Sequence, residues 1–284
     1  MDTPLRDVSD TALWVAMYRA MESGRPDALF RDPYARRLAG ERGEAIVRAM
    51  PRGRSMAWPM IVRTAVMDEI VMRLVGEGVR TVVNLAAGLD TRAYRLALPP
   101  DLKWLDVDLP AMIEYRREHL SGAVPVCAHR DVAVDLREAG ERTRFLRGAN
   151  EAGRPALVIT EGLLVYLTRD QVGALARDAH DIPGVRWWLI DLASPALLRL
   201  LRRTWQPSLE SAGTPMQFAP EEGTEFFGPA GWREAEFRST WDEARRLRRM
   251  MPMAWLWILL SRLQPEARRE AGRRMSGVVL LDGL

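Results

Sequence analysis

The stretch TVVNLAAGLDTR, residues 81–92, decides the fold. Its first residues form a continuous β-branched and apolar run, as expected of a strand buried on both faces of a parallel sheet. The run ends at Gly88, where a glycine lets the backbone approach a ligand closely. In an open parallel sheet, ligands sit beyond the carboxyl ends of the strands, near the point where the strand order reverses. The loop lacks the GxGxxG spacing of a dinucleotide site, which argues against a pyrophosphate there and against a nicotinamide-dependent oxidoreductase.

Comparable runs follow at KWLDVDLP (103–110), VPVCAH (124–129), PALVITEGLLVYL (155–167) and VRWWLIDLA (185–193). Helical or turn segments separate them, including a helix expected over 169–180. Alternating strands and helices predict a doubly wound parallel sheet. AEFRSTW (235–241) and SGVVLLD (276–282) predict two further strands. Upstream, Leu13, Ala16, Met17 and Ala20 recur at helical spacing over 11–21, with Asp10 as the expected N-cap. Asp32 before Pro33 reads as a second helix start, and Ile61–Val75 as a third helix ending near Gly76 and Gly78.

At 284 residues the chain fits one large domain, since a single core stops growing at roughly 250–300 residues. The expected division is a helical cap (1–78), a cofactor-binding core (79–194), a proline-punctuated helical lid insertion (195–270) and a final strand (271–284). Lys103 is the only lysine, so arginine supplies nearly all of the 41 basic residues, and the net charge is only +3. That balance does not suggest a nucleic-acid binder. Cys127 stands alone, which excludes an internal disulfide and a cysteine-rich zinc site; no metal is expected. The apolar run 250–261 is too short for a bilayer crossing of about 20 residues, and the polar start MDTPLRDVSD has no signal-peptide character. A cytoplasmic protein, monomer or homodimer, is the expectation.

Asp106 and Asp108 end the second strand, about 20 residues after Gly88, where an acid can accept both hydroxyl hydrogens of a ribose. A nucleoside without phosphates satisfies both observations, and S-adenosylmethionine is the common cofactor of that kind. The bland alternative is a turn glycine and a helix-capping aspartate.

Four blocks, YRAMESGRPDALFRDPYAR, NLAAGLDTRAYRL, WLDVDLPAMIEYRREHL and ITEGLLVYLT, together resemble the leucine carboxyl methyltransferase family. The likeness is to its bacterial branch of S-adenosylmethionine-dependent O-methyltransferases, and the ending RMSGVVLLDGL fits that branch. The resemblance implies a class I methyltransferase (Rossmann-like) fold, with a seven-stranded, mostly parallel sheet under an N-terminal helical cap. It further implies that Arg63 pairs with the methionine carboxylate of the cofactor, with Arg19 a second basic residue nearby. By the same likeness Gly88 lies against the cofactor, Asp108 binds the ribose, Asp135 and Leu136 contact adenine, and Glu161 lies near the methionine amino group. Tyr166 and Arg19 are candidates for positioning the acceptor. Without the likeness, Arg63 reads as a surface ion-pair member, Tyr166 as a core tyrosine and His129 as structural. The arginine run 245–249 reads as a solvated helix face.

Methyl transfer from a sulfonium asks mainly for positioning and exclusion of water. A carboxylate acceptor, with a pKa of about 4, needs no base at neutral pH. None of His119, His129 and His180 is an obvious base, which favours a carboxylate or acidic hydroxyl. The insertion carries Trp205, Trp232, Trp241, Trp255 and Trp257, which suits a bulky apolar substrate, or fills the insertion's own core. The expected acceptor is a small molecule or peptide, with natural-product biosynthesis one setting for it. Methylation of a protein's C-terminal carboxylate and cofactor binding without catalysis are the alternatives.

Overall fold

The structure, a computed structural model, describes residues 8–50, 53–150, 152–211, 215–251, 253–254 and 265–283. Seven strands form one sheet: β1 (Thr81–Leu85), β2 (Lys103–Asp108), β3 (Ala128–Ala133), β4 (Ala156–Thr160), β5 (Val185–Ala193), β6 (Trp232–Ser239) and β7 (Ser276–Gly283). Their order is β3-β2-β1-β4-β5-β7-β6. β1 pairs in parallel with β2 and β4, β2 with β3, and β4 with β5, while β7 runs antiparallel to both β5 and β6. The seven-stranded, mostly parallel sheet expected from the sequence is therefore present.

The helices are α1 (Val8–Ser23), α2 (Ala35–Ala49), α3 (Trp58–Gly76), α4 (Arg92–Arg95), α5 (Pro110–His119), α6 (Ala139–Ala149), α7 (Arg169–His180), α8 (Pro195–Ser211), α9 (Thr240–Arg246) and α10 (Glu266–Arg273). Period-two alternation divides the sheet between two cores. Val82, Trp104, Leu157, Ile159 and Leu189 pack with the α3 residues Val66, Ile70 and Leu74. Val83, Leu105, Val158, Trp188 and Ile190 face the other way, against Leu146 of α6 and Leu175 and Ala176 of α7. A third core joins α1 and α2 through Trp14, Tyr18, Leu38 and Ile46, and extends to Leu89, Met112 and Leu198. The cap thereby rests on the loop after β1 and on α5 and α8.

Several local expectations shift. β3 spans Ala128–Ala133, so it takes in only the last two residues of VPVCAH and runs on beyond it: Pro125 cannot donate to a ladder, and this edge strand is half exposed, so it carries no apolar run. The fourth strand stops at Thr160; the chain then turns at Gly162 (φ +67°) into a short 3₁₀ turn, Leu164–Tyr166. α1 starts before Asp10, whose carboxylate instead binds Arg42 at 3.0 and 2.6 Å. Asp32 receives the backbone N–H groups of Tyr34 and Ala35 at 3.1 and 3.0 Å, so it caps α2 from three residues before its first helical position. β6 overlaps the strand expected over 235–241, within the stretch 195–270. Trp232 is a core residue of β6, 5.5 Å from Trp188. Trp255 and Trp257, with most of PMAWLWILLSRL, lie outside the described residues. Among the described residues no helix is long and apolar enough to cross a membrane.

Candidate functional site

The strand order reverses between β1 and β4. The loops beyond their carboxyl ends, with those after β2 and β5, open on one cavity of about 1560 Å³. Single-ligand pockets commonly run to about 300–1,000 Å³, so two ligands fit at once.

The loop after β1 is held from behind. Gly88 takes φ +51°, and a Cβ there would stand 3.5 Å from the Ala12 Cβ of α1. The Gly88 N–H donates to Asp108 Oδ2 at 2.7 Å, and the Leu109 N–H donates to Asp108 Oδ1 at 2.7 Å. Arg116 donates to the carbonyls of Gly88 and Asp90 at 2.9 and 2.8 Å, and Arg19 donates to the carbonyl of Leu89 at 2.5 Å. Asp106 is consumed by the fold. It receives Asn84, Trp104 and Arg116 at 2.8, 2.8 and 2.5 Å, and His129 Nε2 lies 2.9 Å away. Of the two acids ending β2, Asp108 is the one that lines the cavity. Burial pushes its pKa up, against the pull of the two backbone amides.

A second group of charges closes the edge of the sheet. Arg63, on α3, donates to Glu161 Oε1 at 3.0 Å and to Asp191 Oδ2 at 2.9 Å. Arg92 pairs with Asp68, Asp90 and Glu161 at 2.7, 2.6 and 2.8 Å, and Arg95 pairs with Asp68 at 2.6 Å. Asp191 also receives the Gly162 N–H at 2.6 Å. Burial alone would raise the carboxyl of Glu161, but Arg92 and Arg63 outweigh it and hold it low. Asp90 behaves alike: burial opposes ionisation, and Arg92 and Arg95 prevail. Four carboxylates thus face three guanidiniums, one negative charge in surplus.

The structure brings Arg19, Arg63, Gly88, Asp108, Glu161 and Tyr166 to the wall of this one cavity. Arg19 is 8% exposed and also bonds Asp32 at 2.8 Å, so it braces the loop after β1 as well as reaching the cavity. Asp135 and Leu136 are not among the described lining residues: Asp135 pairs with Arg137 at 2.6 Å, and the Leu136 carbonyl accepts from Arg142 at 2.9 Å. His129 is buried beside Asp106 and Tyr94, a structural placement. The arginine run 245–249 is not a uniform solvated face. α9 ends at Arg246, Arg248 takes φ +55°, and Arg249 turns inward onto Glu22 at 2.8 Å.

Sequence reasoning missed Asp68, Asp90, Arg92 and Asp191. Asp191 had a signal: it is the one acid inside the apolar run VRWWLIDLA, and a bare carboxylate there is costly unless paired. Asp90 and Arg92 stand two residues apart just beyond β1, a ready ion pair at a strand end. Asp68 carried no mark beyond its place on an amphipathic helix.

These residues suit a nucleoside cofactor bearing one carboxylate, one ammonium and one sulfonium. The surplus negative charge matches its net positive one. Arg92 Nη2 and Thr64 Oγ1, on residues of the cavity wall, are buried with no hydrogen-bond partner among the described residues. Asp108 lines the same cavity.

The sequence profile of the leucine carboxyl methyltransferase family matches residues 12–180. A protein of Streptomyces coelicolor, named as a candidate S-adenosyl-L-methionine-dependent methyltransferase, is 40% identical over 178 residues, 58% of this chain and 62% of its own. The chain thus spans about three fifths of the length of that relative. A similarly named protein of a Mycobacterium species (strain KMS) is 34% identical over 271 residues, 87% of this chain and 89% of its own. Among solved structures, a candidate methyltransferase of Thermobifida fusca superposes with a TM-score of 0.60 at 19% identity, covering 99% of this chain and 96% of that one. A DUF574 protein of Streptomyces avermitilis gives 0.62 at 15% identity, covering 100% and 99%; both likenesses bear on the fold. With the profile spanning more than half its length and the mycobacterial relative matching nearly end to end, the chain belongs to the leucine carboxyl methyltransferase family.

Proposed function

We propose that the protein is an S-adenosylmethionine-dependent O-methyltransferase acting on a carboxylate or acidic hydroxyl of a small molecule or peptide. One observation carries the reading: Asp108, bound to the Gly88 amide, and the cluster around Arg63 face the same cavity. The relatives' names support the cofactor, and the volume of the cavity supports a second ligand beside it.

The cofactor supplies a methyl group on an electrophilic sulfonium. The chain binds and orients. Asp108 accepts the ribose hydroxyls, Arg63 takes the methionine carboxylate, and Glu161 and Asp90 face its ammonium. Asp135 and Leu136, beyond β3 and next to Asp108 along the sheet edge, take adenine. Met56, Trp58, Leu201, Met216 and Phe218 exclude water from the acceptor side. Burial pushes the Tyr166 phenol up to about 12, so at neutral pH it donates a hydrogen bond to the acceptor and does not serve as a base. That suits an acceptor already ionised, as a carboxylate is. Methylation of a protein's C-terminal carboxylate is a second reading, favoured by the family's description.

A thermal-shift comparison tests the proposal. S-adenosylmethionine and S-adenosylhomocysteine should raise the melting temperature, and NAD should not. At a ligand concentration one hundred times Kd the stabilisation is about 2.7 kcal/mol. A shift with NAD alone would overturn the reading.

A further inference from the structure

Deep in the cavity every arginine is answered by a carboxylate; at its mouth this balance ends. Arg245 of α9 and Arg268, Arg269 and Arg273 of α10 line the same cavity. Among the described residues, Arg245, Arg268 and Arg269 make no ion pair. Asp242, which also lines the cavity, and Glu270 lie near Arg273, at 3.5 and 4.0 Å.

The sheet register explains why this group belongs to the site. Ser276 of β7 pairs with Ala193 of β5, two residues beyond Asp191. α10 ends three residues before Ser276, and α9 opens at Thr240, whose hydroxyl lies 3.0 Å from that of Ser276. Both helices therefore leave the sheet at the edge that carries Asp191 and Arg63. Apolar surface lies beside the arginines: Trp241, Met251 and Met253 also line the cavity, and Met253 is 62% exposed.

We infer that the mouth is an anion subsite of the acceptor: the substrate is an amphiphile whose apolar body lies along Trp241 and Met253. A carboxylate or phosphate, separate from the group that is methylated, is held by Arg245, Arg268 and Arg269. This inference rests on the methyltransferase reading for the identity of the inner ligand. The chemistry follows from the side chains. Planar guanidinium forks match carboxylate and phosphate oxygens, and arginine sheds water more readily than lysine does beside apolar surface. A neutral acceptor would leave the cations without a role in binding. A purely polar anion would leave Trp241 and Met253 in water.

The probes are dodecanoate and dodecyl phosphate as anions and dodecyl maltoside as the neutral comparison, each below its micelle concentration. They are titrated calorimetrically into full-length protein saturated with S-adenosylhomocysteine. Binding of the nucleoside is measured first, on its own; its failure counts against the methyltransferase reading and leaves the anion test standing. At least one anion should bind about tenfold more tightly than the neutral probe, and the preference should shrink as salt rises. The double variant Arg268→Gln/Arg269→Gln should lose most of that preference while nucleoside affinity stays unchanged. If that variant fails to fold, Arg245→Gln takes its place, and the parent's own discrimination still decides. Equal binding of anionic and neutral probes, or an unchanged preference in the arginine variants, would overturn the inference.

Discussion

The guanidinium of Arg63 lies against the backbone of Gly162: a Cβ built at residue 162 would stand 3.4 Å from Nη1 and 3.5 Å from Nη2. Gly162 also takes φ +67°, a conformation that side chains disfavour, and its N–H is fixed by Asp191. The turn after β4 and the arginine of α3 are thus built around each other.

Gly162→Ala tests that arrangement. The added methyl strains the turn and displaces Arg63 from Glu161. We expect a loss of about 1–2 kcal/mol in stability, from the strained conformation, together with weaker nucleoside binding. Denaturant melts with and without S-adenosylhomocysteine read both; an unchanged midpoint and affinity would show that the contact is slack.

Glu161 makes a prediction about acid. Its folded pKa lies below the ordinary carboxylate value, because Arg92 and Arg63 outweigh the burial that would raise it. A depressed acid contributes stability that is complete above the unfolded pKa, about 4.3, and is lost as pH falls through the folded value. Glu161→Gln should therefore destabilise the protein at pH 7, and the gap to the parent should narrow below about pH 4. A gap that stays constant with pH would assign the loss to packing instead.

Arg249 ties the segment after α9 to the N-terminal cap. It reaches Glu22, which is fully buried, at 2.8 Å and Asp27 at 3.1 Å. Removing one partner of a buried pair costs about 3–5 kcal/mol where the other charge is left alone; Glu22 keeps the Leu29 N–H at 2.8 Å and Arg25 at 3.7 Å, which lowers that cost. Arg249→Ala should lower the melting temperature sharply, and Glu22→Gln in the same chain should recover part of the loss. A double variant no more stable than Arg249→Ala would contradict the pairing.

The sheet was legible because burial on both faces writes itself as apolar runs, as in TVVNL and ALVIT. β3 was misplaced because an edge strand, AHRDVA, needs no such run, and the apolar residues just before it, Val124 and Val126, lie in the exposed connection from α5. Of the site, the place of Gly88 and Asp108 at the cavity could be read, since the carboxyl ends of strands in an open parallel sheet face the crevice. The partners of Arg63 and Arg92 could not. Asp191 lies 128 positions from Arg63 in the chain, and Glu161 lies 98 away, so their meeting depends on the β1–β4–β5 adjacency that sequence spacing does not encode. Arg249 was misread for the same reason: its partner Glu22 is 227 residues away.

Asp108 carries the central claim. It is the one acid ending β2 that both lines the cavity and is bound to the Gly88 amide. Calorimetric titration of S-adenosylhomocysteine into the parent and into Asp108→Ala is the most direct test. The account predicts one site per chain in the parent. The variant should bind at least tenfold more weakly, since hydrogen bonds to a charged acceptor contribute about 1.5–3 kcal/mol each. Equal affinity in the two proteins, or no binding by the parent, would contradict it.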